Sequence, residues 1–177
     1  KYRPYKQVLA DTMGMTCREF GFDFTEEDAK EFADSMANWR AFPDSVEALH
    51  ELRKYTKVVY LTNTDNAIIE AVMKNTGIEA DDVVTAEMAG CYKPYTHGFE
   101  LCQERLGIPV EDWMHAGFGF KYDVVPGNRM GYRTIWVNRQ GIVRPFRDQE
   151  DIMCGDLKTL VYIIKGMYMT DQENAAK

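Results

Sequence analysis

Lys57-Val58-Val59-Tyr60-Leu61-Thr62-Asn63-Thr64-Asp65 decides how this chain is read. The run Lys57 to Leu61 is short, apolar and β-branched without polar alternation, the pattern of a strand covered on both faces. It breaks into hydroxyls, an amide and an acid, and a helix follows over Ala67 to Thr76, stopped by Gly77. The same unit recurs downstream. Asp82 to Thr85 predicts a strand, Thr96 to Leu106 a helix ended by Gly107, and Trp113 to Gly117 a third strand. Asp123 to Met130 predicts a helix ended by Gly131, and Thr134 to Asn138 a fourth strand. This β-α-β-α-β-α-β alternation implies a parallel sheet with helices on both faces, an α/β fold.

Upstream of Lys57 every pattern is helical. Apolar residues near a 3.6-residue period predict a helix from Tyr5 to Phe20, stopped by Gly21. Thr25-Glu26-Glu27-Asp28 is a capping box opening a helix to about Met36. Phe42-Pro43-Asp44 interrupts, and Asp44 or Ser45 is expected to cap a third helix through Tyr55. A closing helix is predicted over Asp156 to Lys165. The expected division is a helical cap over residues 1–42, a core over 43–168 and a flexible tail over 169–177.

A net charge of −7 over 177 residues argues against a nucleic-acid backbone or an anionic membrane as partner, and leaves small anionic substrates open. No apolar run reaches the roughly 18 to 20 residues that span a bilayer. Cys17, Cys91, Cys102 and Cys154 are scattered and form no C-x-x-C pair. They are expected to be reduced thiols of a cytoplasmic protein, neither a metal site nor a disulfide framework.

In open parallel sheets ligands bind at the carboxyl ends of the strands. Three polar groups are expected there: Thr62-Asn63-Thr64-Asp65, Lys93-Pro94, and the Gly117 to Asp123 loop. The first offers hydroxyls and helix-start N–H groups to an anion, or plain N-capping by Thr64 or Asp65. Lys93 offers an ammonium over the strand ends, or a solvated surface lysine. Asp123 offers a carboxylate to the site, or a cap for the following helix.

Their order carries more than any one of them. A strand ending in Thr62-Asn63, then Lys93-Pro94, then strand, loop and Asp123, each about thirty residues on, resembles the haloacid dehalogenase superfamily. The likeness is to the L-2-haloacid dehalogenase (type II) branch. It includes Val84-Thr85-Ala86-Glu87, Tyr92-Lys93-Pro94, His115-Ala116-Gly117, Asp123-Val124-Val125-Pro126, and Gly131-Tyr132-Arg133-Thr134-Ile135-Trp136-Val137-Asn138-Arg139. The Tyr2-Arg3-Pro4-Tyr5 start and the Phe42-Pro43-Asp44 turn resemble that branch's cap. The resemblance implies a Rossmann-like core with an N-terminal helical cap, present here as the cap's C-terminal part. It implies that Thr62 hydrogen-bonds the substrate anion and that Asn63 orients the substrate or the nucleophile. Lys93 would neutralise charge on a nucleophilic aspartate, and Asp123 would belong to the group handling the hydrolytic water. Trp39, Tyr92 and Phe120 are the candidate pocket walls, and no metal or other cofactor is implied for this branch.

Two features depart from the family's pattern. No apolar strand ending in the family's Asp-x-x-Gly-Thr nucleophile motif occurs before Lys57. In this fold that strand lies between the Lys57–Leu61 and Trp113–Gly117 strands, so a segment upstream of Lys1 or a partner polypeptide is expected to complete the sheet. Phe118, five residues before Asp123, stands where the family's phosphatases carry a magnesium-binding aspartate. The expectation is therefore a hydrolase acting on a small 2-substituted organic acid. The alternatives are a non-catalytic subunit in which Met114, Phe118 and Phe120 form an apolar plug or a partner surface, and a phosphatase.

Overall fold

The structure, a computed structural model, describes residues 2–144 and 150–175. Two helices, α1 (Tyr5–Phe20) and α2 (Glu26–Ser35), form an N-terminal hairpin continued by a 3-10 turn over Met36–Asn38. Helix α3 (Ser45–Leu52) leads into β1 (Val59–Thr62), α4 (Asn66–Thr76) and β2 (Asp82–Thr85). A single turn, α5 (Ala86–Ala89), precedes α6 (His97–Leu106) and β3 (Met114–Gly117). The chain then winds through a π-helical turn at Phe120–Val124 into α7 (Val125–Arg129), β4 (Arg133–Val137), β5 (Ile152–Cys154) and α8 (Leu157–Ala175).

All strand pairings are parallel, in two groups: β1 with β2, and β3-β4-β5 with β4 central. Among the described residues no ladder joins β1 to β3. Side-chain alternation assigns the two faces. From β4, Ile135 and Val137 meet Ala48 and Leu52 of α3 and Leu160 and Val161 of α8, while Trp136 packs on the other side against Phe120 and Val124. In β1, Leu61 lies against Gly98 of α6, where an added Cβ would come within 2.9 Å of Leu61 Cδ1. Thr62, one residue on, therefore turns toward the α4 side.

The helical hairpin is tied to the core through its first turn. Pro4, at the N-cap position of α1, has no side chain to accept a hydrogen bond. The Asp65 carboxylate takes that role across the fold, accepting from the Tyr5 backbone N–H at 2.8 Å and from the Tyr2 hydroxyl. Tyr92 donates to the Arg3 carbonyl at 2.6 Å and packs against the Tyr2 and Tyr5 rings. Asp44 is used the same way. Its carboxylate accepts from Arg139 at 3.0 Å and from the Leu157 N–H at 2.8 Å, so it caps α8 and leaves α3 without a side-chain cap.

The capping box at Thr25 and Asp28 forms as the sequence predicts, and most elements fall within two residues of expectation. Four points differ. The α3 helix ends at Leu52, short of Tyr55. Residues Ile152–Cys154 add a fifth strand too short to announce itself by pattern. The last helix runs through Ala175, well past Lys165; Ala176 and Lys177 lie outside the described residues. Met114, Phe118 and Phe120 do not form one apolar plug. Met114 packs toward α3 and α8, Phe120 stacks edge-on against Trp136, and Phe118 is left exposed. No helix among the described residues is long and apolar enough to cross a membrane.

Candidate active site

Lys93, Asn63 and Asp123 converge at the carboxyl ends of β1 and β3. Asn63 grips the backbone of Lys93 at both ends: its Oδ1 accepts from the Lys93 N–H at 2.7 Å and its Nδ2 donates to the Lys93 carbonyl at 3.2 Å. The residue before a proline is disfavoured in helical geometry, so this loop needs an outside hydrogen-bond frame, and Asn63 supplies it. The Lys93 ammonium donates to the Leu61 carbonyl at 2.8 Å and to Asp123 Oδ1 at 2.6 Å. Both side chains are largely buried, with 14% of Lys93 and 11% of Asp123 exposed.

Asp123 reaches this position because the loop ahead of it has no side chains in the way. Its Oδ2 accepts from the Gly119 N–H at 2.9 Å, and its own N–H donates to the Gly119 carbonyl. A Cβ on Gly117 would lie 2.4 Å from Asp123 Cβ, and one on Gly119 would lie 2.9 Å from Asp123 Oδ2. Close approach requires glycine at Gly117, and at Gly119 an added Cβ would push against the Asp123 carboxylate end. The π-helical turn at Phe120–Val124 aims the carboxylate back over the strand ends, a distortion common at functional sites. Asp123 does not cap the next helix, as one reading of the sequence allows; its carboxylate faces Lys93.

His115 completes the group, with Nε2 at 3.3 Å from Asp123 Oδ1. It shares a face of β3 with Gly117, two residues on, and its ring packs edge-on against Phe99. Burial pushes the Asp123 carboxyl up, but His115 and the Lys93 ammonium outweigh it and hold the group well below the usual carboxylate range. The unfolded chain therefore takes up this proton first as the pH falls. The stabilisation from Asp123 is present in full above the ordinary aspartate value and is lost as pH drops below it. Urea unfolding of the wild type and of Asp123→Asn is expected to show a stability gap that shrinks as the pH falls below about 4.

Thr62 stands beside this cluster with its Oγ1 3.1 Å from the Thr64 Oγ1. Both threonines are among the residues that line a mostly apolar cavity of about 240 Å³ between α4 and the Met36–Asn38 turn, together with Trp39, Arg40, Ile68, Ile69 and Val72. Of the three candidate pocket walls only Trp39 is on this cavity. Tyr92 belongs to the α1 anchor, where burial, with Asp65 nearby, pushes its phenol up to about 12. Phe120 is 7% exposed in the core beside Trp136. His115, beside Asp123, and Arg40, on the cavity, are residues that sequence reasoning did not single out. The strand alternation that places His115 level with Gly117 was a usable signal for the first; nothing local marks the second.

The model of the haloacid dehalogenase-like hydrolase family matches residues 12–131. The chain belongs to the haloacid dehalogenase-like hydrolases. Its curated relatives include the (S)-2-haloacid dehalogenase of Pseudomonas fluorescens, 22% identical over 143 residues, covering 79% of this chain and 63% of that protein. The glyceraldehyde 3-phosphate phosphatase of Methanocaldococcus jannaschii is 28% identical over 138 residues, covering 75% of this chain and 60% of that protein. The chain thus spans somewhat under two thirds of the length of these relatives. Among solved structures, the L-2-haloacid dehalogenase from Xanthobacter autotrophicus with chloropropionic acid covalently bound superposes with a TM-score of 0.83. That pair is 19% identical, and the match covers 94% of this chain and 78% of the other, which shows that the Rossmann-like fold is shared.

Proposed function

We propose that this haloacid dehalogenase-like hydrolase displaces the 2-substituent of a small organic acid, using an aspartate on a strand seated between β1 and β3. A segment upstream of Lys1, or a partner chain, contributes that strand. The observation that carries the reading is the buried Lys93 ammonium, held by Asn63 and Asp123 where the ends of β1 and β3 approach each other. A fixed cation in a poorly solvated site stabilises an anionic nucleophile and the charge that develops on the substrate.

In the first step a nucleophile oxygen bonds to C2 of the acid and the C2–halogen bond breaks, its electron pair leaving with the halide. Water then attacks the ester carbonyl of the enzyme aspartate. The bond from that carbonyl carbon to the substrate oxygen breaks, releasing the 2-hydroxy acid and, to solvent, a proton. Asp123, held ionised, orients the water as an acceptor; its low proton affinity makes it a weak base. Thr62 presents its hydroxyl to the substrate carboxylate.

Phosphatase activity is the second reading, favoured by the Methanocaldococcus jannaschii relative. Phe118, an exposed phenyl ring in the Gly117–Asp123 loop, weighs against it, since magnesium takes oxygen ligands. Chloride release from L-2-chloropropionate by the natively purified protein, with whatever chain completes it, separates the two. The expected result is metal-independent release, reduced about 10²- to 10³-fold in Lys93→Met. Magnesium-dependent release of phosphate from p-nitrophenyl phosphate, without chloride release, would establish the second reading instead. Loss of both activities would mark a non-catalytic member of the family.

A further inference from the structure

Asp123 owes its direction to the π-helical turn over Phe120–Val124. Such turns are rare and occur singly, so tertiary contacts decide whether one forms. Trp136 supplies two of those contacts. Its indole Nε1–H donates to the Phe118 carbonyl at 3.0 Å, and its ring meets Phe120 edge-on with 4.9 Å between centroids. Trp136 pairs in register with Gly117, so the indole stands level with the start of the loop. Trp136 and Val124 pack together and are each 1% exposed, which leaves the indole no room to reorient. Phe118 and Phe120 flank Gly119, whose N–H donates to Asp123 Oδ2 at 2.9 Å and whose carbonyl accepts the Asp123 N–H. The indole therefore fixes the residues on both sides of the one that holds the carboxylate. A buried tryptophan usually finds some acceptor for its N–H, and Trp113, bonded to the Ile108 carbonyl at 3.0 Å, is that ordinary case. What sets Trp136 apart is its recipient, the loop that carries Asp123.

We propose that Trp136 is a positioning residue of the active site: through the Phe118 carbonyl and the Phe120 ring it holds the loop in the register that turns Asp123 toward Lys93 and His115. This deepens the dehalogenase reading and rests on it only for what Asp123 does in turnover; the positioning itself is measured without turnover.

Trp136→Phe keeps an aromatic ring in the core and removes the donor. Trp113→Phe removes a bond of equal length elsewhere and serves as the comparison. Both changes lower stability, so the readout is the response of each variant to Asp123→Asn in urea unfolding of the natively purified protein. In the wild type Asp123→Asn is expected to raise the unfolding equilibrium constant about tenfold or more, because the buried Lys93 loses its carboxylate. The same factor is expected in the Trp113→Phe background, and less than about threefold in Trp136→Phe. The pH profile divides the same way. The wild-type advantage over Trp136→Phe is expected to shrink as the pH falls below about 4, where the contribution of Asp123 is lost, while the advantage over Trp113→Phe stays level. A response to Asp123→Asn that persists undiminished in Trp136→Phe overturns the proposal, as does its loss in both tryptophan variants. If Trp136→Phe shows no cooperative transition, Trp136→benzothienylalanine, with sulfur in place of the indole N–H and the same shape, carries the same comparison. Loss of the response in Trp136→Phe alone, with no chloride release from L-2-chloropropionate by the wild type, would keep this inference and refute the dehalogenase reading. Chloride release with the response intact in Trp136→Phe would do the reverse.

Discussion

Lys93→Met is expected to destabilise the chain by about 3–5 kcal/mol, because it leaves the Asp123 carboxylate buried without its cation. The methionine fills nearly the same volume, so packing loss is small and the effect is electrostatic. The Leu61 carbonyl loses a donor at the same time, and the strand end it terminates loses a tie to the Lys93 loop. Urea denaturation followed by circular dichroism measures the change. Two controls identify its origin. Asp123→Asn in the Lys93→Met background removes the stranded charge and is expected to restore a large part of the lost stability. The loss in Lys93→Met is also expected to diminish in acid, where Asp123 takes up a proton and no longer needs a partner. A loss below about 1 kcal/mol would mean that the pair is solvated and that Asp123 is not held as described.

Gly117→Ala is expected to cost a comparable amount, about 3 kcal/mol or more, for a steric reason. The new Cβ would lie 2.4 Å from Asp123 Cβ and 2.5 Å from its Cγ, atoms close to the backbone that cannot swing aside. Either β3 shifts against its partner β4, or Asp123 leaves Lys93 and His115. The two outcomes separate in the pH dependence: if Asp123 is expelled, the stability gap between this variant and its Asp123→Asn double mutant vanishes at all pH values. Gly21→Ala is the comparison. Gly21 also has a positive φ, 72°, but an added Cβ meets nothing within 4 Å, so that change carries only the cost of the left-handed backbone, about 1 kcal/mol.

The alternating elements from Val59 onward were legible because each depends on local residues. Apolar β-branched runs mark β1 and β4, and glycines at Gly77 and Gly107 end helices in the left-handed conformation. Thr62, Asn63, Lys93 and Asp123 were legible as a set because the parallel sheet brings strand ends together whatever the loops between them do. What was not legible is tertiary. Asp44 and Asp65 each stand at a helix start, where sequence reasoning expects a local cap, yet their carboxylates cap α8 and α1. The residue type was right and the recipient was not, since spacing along the chain holds no information on which orphan N–H lies nearby. Tyr92 and Phe120 were apolar candidates near the site by sequence, and packing with Tyr2 and Trp136 took both elsewhere. Arg40 gave no local signal at all; it lines the same cavity as Thr62 because the Met36–Asn38 turn packs on α4.

The reading of Lys93 and Asp123 as servants of an aspartate nucleophile is tested most directly by trapping that aspartate. The Asp123→Asn protein, purified natively with any chain that accompanies it, is incubated with L-2-chloropropionate, denatured, digested and analysed by peptide mass. Slowed water attack should leave the ester in place. The expected result is one propionate adduct on an aspartate at the end of an apolar strand outside residues 1–177, with no adduct when Lys93→Met is added. Chloride release without any adduct, or an adduct on a residue of this chain, would contradict the account.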